Sequence, residues 1–195
     1  MHIIKKNSLV IFLFFYLIFG SLASINSGIS FDENYEEINW KENISITKKL
    51  SNYLLHGEEF DSKIIERTMG YGIGFQLISQ PIQFFLKDLV ASDDNISDFG
   101  GHLLAKHFVV FLFFFISGIF FYLILKKIID NDNFSKTGTV IYLLYPYLFG
   151  QSLFSPKDVP FMSIWVICTY LSLKIFERLI DKKDISIFNT ILFAF

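Results

Sequence analysis

Two neighbouring carboxylates, Asp32 and Glu33, begin seven residues after the first apolar run of this 195-residue chain. A carboxylate at a boundary between membrane and water, shielded by neighbouring helices, can have a shifted pKa and act as a general base. The pair could equally be solvated charge, because it begins a segment that holds thirteen acidic residues. Position alone leaves both interpretations open.

A second charged pair, Lys157 and Asp158, lies in the short sequence Ser155-Pro-Lys-Asp-Val-Pro160 between two apolar runs. Lys is a compact cation suited to phosphate, and Asp could orient it or take part in proton transfer. The two prolines of this turn also end helices, so the charges could simply mark a membrane interface. Both interpretations stay open here too.

Arg67 and His102 are further candidates for holding a phosphate. Arg67 is the only arginine before the second apolar run, although an ion pair with a neighbouring carboxylate is the plainer interpretation. His102 and His107 are five positions apart, which is off the i, i+4 spacing of a helical metal pair. The only cysteine is Cys168. The sequence therefore predicts no disulfide within the chain and indicates no metal site.

These residues must be positioned by apolar helices. The chain is 52% apolar and 18% charged, against about 25% charged residues in a typical soluble domain. Its net charge of −2 gives no support to nucleic-acid binding. Apolar runs occupy residues 9–25, 108–125, 137–154 and 160–176, and a fifth begins at residue 187. A helix of about 18 residues spans about 27 Å, close to the hydrocarbon thickness of a bilayer. The sequence predicts an all-α, polytopic membrane protein whose third span is kinked by Pro146.

Basic residues set the predicted orientation of these spans. They gather before the first span, after the second and after the fourth: Lys5, Lys6, Lys126, Lys127, Lys136, Lys174, Arg178, Lys182 and Lys183. This bias predicts a cytoplasmic N-terminus and two external segments, residues 26–106 and 155–159. The longer segment has seven basic and thirteen acidic residues, a net charge of −6. A multi-pass integral membrane protein is expected. Cleavage of the first run after Ala23 is an open alternative.

Residues 26–106 form a segment far too long for a simple connector, and long loops are usually functional. Loosely helical spacing over Glu36–Leu55 predicts a helix that Gly57 can end. Apolar residues over Tyr71–Val90 suit a helix that lies on the membrane surface. Asp98 is a candidate N-cap for an extension of the second span. The external segment is therefore predicted to carry amphipathic surface helices.

Three features together carry a resemblance to a known family. One N-terminal span is followed by a long external segment that opens with Asp32-Glu33. Ser155–Phe161 is similar to the Asn-Pro-Lys-Asp-Ile-Pro-Phe turn of a bacterial branch, with Ser155 where Asn is common. Tyr71–Phe75 is similar to a Tyr-Gly segment that precedes a membrane-surface helix. The chain resembles the membrane glycosyltransferases of the C type, such as dolichyl-phosphate-mannose–protein mannosyltransferases and aminoarabinose transferases of lipid A. Those enzymes have many more spans, so residues 1–195 resemble an N-terminal membrane unit.

The resemblance implies a polyprenyl-phosphate-linked sugar as donor, and a lipid, glycan or protein acceptor on the external face. Asp32 would be the general base that deprotonates the acceptor, and Glu33 would support it. Lys157, with Arg67 or His102, would neutralise the lipid phosphate. Asp158 would complete the donor-binding set beside Lys157. A lipid phosphate leaves readily, so no cofactor is implied and a divalent metal is not obligatory. Asp32 and Lys157 would then lie near one another.

A different class of protein also fits the sequence. A non-enzymatic polytopic membrane protein, such as a transporter or an assembly component, would use the external segment for docking. That alternative predicts no special role for Asp32 or for the Lys157-Asp158 turn. Membrane lipids are expected partners in both cases.

Overall fold

The computed structural model describes residues 2–59, 74–90 and 97–181, excluding the side chains of residues 2–6 and of Asp98. These ranges contain seven helices and no strand, which confirms the predicted all-α class. The helices are α1 (His2–Ile25), α2 (Phe31–His56), α3 (Gly74–Val90), α4 (Asp98–Ile129), α5 (Asp132–Leu144), α6 (Pro146–Ser152) and α7 (Asp158–Ile180). Arg67 and the fifth apolar run lie outside the described residues.

The chain folds as two compact units. We call Gly28–Lys106 the insert unit, and Met1–Ser27 together with His107–Phe195 the apolar unit. The insert unit closely matches the predicted external segment, residues 26–106. The predicted external segment is therefore compact in itself.

Three described helices are long and apolar enough to cross a membrane: Asn7–Ile25, Phe99–Ile129 and Asp158–Ile180. They contain the first, second and fourth predicted runs. Apolar side chains such as Phe19 and Trp165 are each 67% exposed. Exposure of large apolar groups along a whole helix is typical of a helix that is surrounded by lipid rather than by water.

The third apolar run differs from the single kinked helix predicted over residues 137–154. Helix α5 stops before Tyr145, whose backbone is extended (φ −59°, ψ 117°), and Pro146 begins α6. The chain breaks here because Pro146 has no N–H and its ring excludes the helical conformation from the preceding residue. The break leaves the Leu143 carbonyl without a helical partner, and the buried Tyr16 hydroxyl donates to it at 2.8 Å.

Glycines allow close approach between helices of the apolar unit. A Cβ atom on Gly20 of α1 would lie 2.0 Å from the Phe111 ring of α4. A Cβ atom on Gly118 of α4 would lie 2.5 Å from the Leu143 side chain of α5. Both contacts require a residue without a side chain, as is common where apolar helices pack through their surfaces in a membrane. Helices α1, α4 and α5 therefore form the core of this unit.

Local signals set the ends of α2 in the insert unit. Ser30 is the N-cap, and the Glu33 carboxylate accepts a hydrogen bond from the Ser30 backbone N–H at 2.6 Å. Gly57 ends the helix in the left-handed conformation, at φ 69°, and its N–H donates to the Tyr53 carbonyl. The predicted end at Gly57 is confirmed, whereas the helix begins earlier than its periodicity indicated.

Helix α4 begins at Asp98, and its cap is the residue before it. The Ser97 hydroxyl accepts a hydrogen bond from the Gly100 backbone N–H at 3.1 Å. The prediction of Asp98 as the N-cap is therefore wrong by one position, because Ser97 supplies the oxygen that a helix start needs.

Candidate functional site

The two carboxylates of the predicted catalytic pair have different surroundings. Asp32 is exposed in the first turn of α2, where the positive end of the helix dipole favours a negative charge. Glu33 is fully buried and caps the same helix through Ser30. Asp32 is thus available to a substrate, whereas Glu33 is engaged in holding the helix start.

Lys157 and Asp158 lie exposed at the start of α7, in the apolar unit. Asp158 is in the first turn of the helix, and the two residues that follow it, Val159 and Pro160, are buried. Asp32 belongs to the insert unit. The predicted proximity of Asp32 and Lys157 therefore stays a prediction.

The insert unit has a buried charged cluster around Glu37, one helical turn after Glu33. The Glu37 carboxylate is 1% exposed and has donors from three helices. The Lys106 ammonium lies 3.0 Å from Oε2, and the Gln76 amide donates to the same oxygen at 3.3 Å. The His102 Nε2 lies 3.6 Å and the Lys41 Nζ 3.8 Å from Oε1. We call these five residues the Glu37 cluster.

The cluster keeps Glu37 ionised inside the unit. Burial by itself would raise the pKa of the Glu37 carboxyl, but the polar contacts with His102 and Lys106 and the charge of Lys106 outweigh it and lower the pKa to about 2. A buried carboxylate is tolerated because each of its oxygens has donors. Two lysines face one carboxylate, so the cluster carries excess positive charge before His102 is counted.

Helix α3 supplies the amide side of this network. The Gln76 amide also donates to the Gln80 carbonyl oxygen at 2.9 Å, and the Gln83 amide donates to the Ser79 hydroxyl at 2.7 Å. Gln76, Ser79 and Gln83 are buried. The opposite pattern holds for the large apolar residues of α3, which are more than half exposed: Leu77, Ile78, Phe84, Phe85 and Leu89. Helix α3 therefore buries its polar face and exposes its apolar face.

Sequence reasoning included His102 but missed Glu37, Lys106 and the glutamines. A signal was present, since Glu33 and Glu37 are i, i+4 and so are His102 and Lys106. The polar residues of α3 also recur at i, i+3, i+4 and i+7 from Gln76. A search for apolar periodicity passes over such polar stripes, because in a soluble unit they would mark the solvated face.

A serine–histidine contact in the apolar unit has a structural explanation. The Ser27 hydroxyl lies 2.8 Å from His107 Nδ1, 2.7 Å from the Ser24 carbonyl and 3.1 Å from the Leu153 carbonyl. The carbonyls can only accept, and a hydroxyl has one proton. All groups are satisfied when Nδ1 donates to Ser27 Oγ and Ser27 donates to a carbonyl. His107 Nδ1 then carries a proton and cannot accept one from Ser27. The contact instead joins the end of α1, α4 and the turn after α6.

Comparison with known proteins assigns the chain to no family. No protein-family model matches the chain, and neither does a curated protein or a solved structure. Within the described ranges, no group of three or more His, Cys, Asp or Glu side chains is placed to hold a metal ion. The candidate functional residues of the insert unit are therefore exposed Asp32 and the Glu37 cluster on the same helix. Those of the apolar unit are Lys157 and Asp158.

Proposed function

We propose that this chain acts in a membrane glycosyltransferase of the C type. It would transfer a sugar from a polyprenyl-phosphate donor to an acceptor on the external face of the bacterial inner membrane. The observation that carries the proposal is the exposed Asp32 carboxylate in the first turn of α2, seven residues after the end of the apolar helix α1. The sequence resemblance supplies the reaction class.

The side-chain contacts of the first turns of α2 support a catalytic role for Asp32. Glu33 and Glu37 are both buried, and their i, i+4 spacing puts them on one face of the helix. Glu33 holds the backbone at Ser30, and Glu37 is held by Lys106. Asp32 lies on a different face and is exposed. A functional group is best held in place by an element whose other contacts are already fixed.

In the proposed reaction Asp32 takes the proton from an acceptor hydroxyl or amine. The acceptor atom forms a bond to the anomeric carbon while the bond from that carbon to the phosphate oxygen breaks, so the configuration inverts. The lipid phosphate leaves with the electron pair. Cations stabilise the charge that develops on it. Lys157 is the proposed cation in the apolar unit, with Asp158 orienting it, and Arg67 and His102 are proposed for the insert segment. Glu33 acts as a positioning residue through its cap.

The three long apolar helices support a multi-pass membrane protein. The basic residues in the last turns of α4 and α7 support a cytoplasmic N-terminus. The insert unit would then be external, as a polyprenyl-phosphate sugar on that face requires.

Asp32→Asn in the full-length protein tests the proposal. Asn keeps the size of Asp but cannot accept a proton, so transfer should fall about 10²–10⁴-fold, the usual contribution of a general base. The measurement is transfer of radiolabelled sugar from a panel of polyprenyl-phosphate sugars in native membranes. Glu36→Gln, on the same helix one turn later, is the control and should change the rate little.

Equal loss in Asp32→Asn and Glu36→Gln, or no loss in either, would overturn the catalytic role of Asp32. Lys157→Ala gives a second comparison. It should raise KM and lower kcat together, because the lysine is proposed to contact the lipid phosphate before and during the reaction. If no donor of the panel gives transfer, the non-enzymatic alternative replaces this proposal.

A further inference from the structure

A groove lies between α1 and α5 at the end of the apolar unit where both helices begin. Its volume is about 360 Å³. The two helices run in parallel, because the Tyr16 hydroxyl of α1 donates to the Leu143 carbonyl of α5, and the residues seven positions earlier on each helix both line the groove. The lining consists of Ser8, Leu9 and Phe12 from α1, and of Lys136, Thr137, Val140 and Ile141 from α5.

The groove changes from polar to apolar along the helices. Its polar lining residues come first on each helix, Ser8 on α1 and Lys136 with Thr137 on α5. The apolar residues Phe12 and Val140 follow four positions later, about 6 Å further along the helix axis. A site with a cation at one end and apolar walls at the other matches a lipid, whose charged headgroup continues into an acyl chain.

Asp132 holds Lys136 at the polar end of the groove. Lys136 Nζ lies 2.6 Å from Asp132 Oδ2, and the Lys136 side chain is 15% exposed. The other oxygen of this carboxylate accepts a hydrogen bond from Tyr122 at 2.7 Å and lies 4.0 Å from Lys126 Nζ. One carboxylate thus faces two ammonium groups, which leaves these side chains with a net positive charge. An ammonium has three N–H groups, so Lys136 can contact Asp132 and a phosphate oxygen together.

The first turns of α1 add basic positions at the same end of the unit. Lys5 precedes Ser8 by three positions and Leu9 by four, which is the spacing of one helix face, and Lys6 is next to it. Basic pockets between membrane helices attract anionic headgroups. The charge at the polar end of the groove therefore favours an anionic lipid over a neutral one.

We propose that this groove binds an anionic phospholipid from the leaflet on the N-terminal side of the membrane. Lys136 and Thr137 contact the headgroup phosphate, and an acyl chain lies along Phe12 and Val140. The groove is accessible from the bilayer, because Ile141 in its lining is 62% exposed. The site is independent of the proposed sugar transfer.

Quenching by brominated lipid measures the occupancy of the groove. Phe12→Trp places an indole in the lining, in a protein whose native tryptophans are removed by Trp40→Phe and Trp165→Phe. The protein is placed in nanodiscs of phosphatidylcholine and phosphatidylglycerol, with bromine on the acyl chains of one of the two lipids. We expect the quenching to give phosphatidylglycerol an association constant about fivefold above that of phosphatidylcholine.

Substitutions of lysine separate this site from general attraction to the membrane surface. Lys136→Gln should abolish the preference for phosphatidylglycerol. Lys174→Gln removes an equal charge from α7, outside the groove lining, and should leave the preference unchanged. Lys136→Arg should keep the preference, because the charge and the donors remain.

Asp132→Asn should change the preference in the opposite direction, which a misfolded variant would not do. It removes the charge that competes with phosphate for Lys136, so the preference for phosphatidylglycerol should rise further, by about fivefold. Asp130→Asn is the matched control. It removes an equal charge two positions away, at a residue whose left-handed backbone (φ 50°) suits Asn, and should raise the preference less than about twofold.

Equal association constants for the two lipids would overturn the proposal. Equal effects of Lys136→Gln and Lys174→Gln would also overturn it, and so would equal effects of Asp132→Asn and Asp130→Asn. A third contrary result is quenching by neither lipid, with an indole emission that depends on the number of protein copies in each nanodisc. A second copy of the chain would then fill the groove in place of the lipid.

Discussion

At the residue scale, the Glu37–Lys106 pair is the chemically least expected feature of the chain. Taking two charges out of water costs several kcal/mol for each, and their attraction offsets this only when the geometry is good and the other lone pairs have donors. Gln76 and His102 supply those donors to Glu37. The pair therefore specifies how α2, α3 and the start of α4 fit together more than it adds stability.

Removing one partner should reveal that cost. Lys106→Ala should lower the free energy of unfolding of the insert unit by about 3–5 kcal/mol, because it leaves Glu37 buried and uncompensated. The double variant Glu37→Leu with Lys106→Met should lose less than Lys106→Ala, since no charge remains buried. Urea unfolding in detergent micelles measures both. A double variant that loses more than Lys106→Ala would mean that the pair is net stabilising.

At the element scale, single residues predicted where helices end. They did not predict which face of a helix is buried. Gly57 and Pro146 act through backbone conformation alone, so their effects on α2 and on the third run could be read locally. Which side of α3 faces inward could not be predicted from single residues. Its polar stripe is buried because Glu37 lies opposite, and its apolar stripe is exposed.

Gly57→Ala and Gly74→Ala form a matched test of the end of α2. A Cβ atom meets nothing within 4 Å at either position, but only Gly57 has a left-handed backbone. Gly57→Ala should therefore destabilise the unit by about 1 kcal/mol, whereas Gly74→Ala in α3 should be neutral or stabilising by up to about 1 kcal/mol. Thermal unfolding followed by circular dichroism measures the difference. Equal shifts would contradict the role assigned to the left-handed backbone of Gly57.

At the scale of the whole molecule, the proposed orientation puts the insert unit outside and the α4–α5 turn inside. Cysteine labelling tests it in a Cys168→Ser background, with single cysteines placed at exposed Ser51 of α2 or exposed Asn131. An impermeant maleimide added to intact cells with a permeabilised outer membrane should label Ser51→Cys and spare Asn131→Cys. The reverse pattern would invert the orientation, because basic residues would then lie outside.

The sequence by itself determined the helical class, the long apolar helices of the first, second and fourth runs, and the end of α2 at Gly57. At Pro146 it predicted a kink, where the chain has a break between two helices. These features depend on composition, periodicity and backbone restriction, which act over a few neighbouring residues. Only the tertiary structure brought Gln76 and Lys106 to Glu37, from which they are 39 and 69 positions away in sequence. It also decided that Glu33 caps a helix while Asp32 remains exposed. A buried polar cluster has no local signature, because its residues carry the same pattern as a solvated face until other helices cover them.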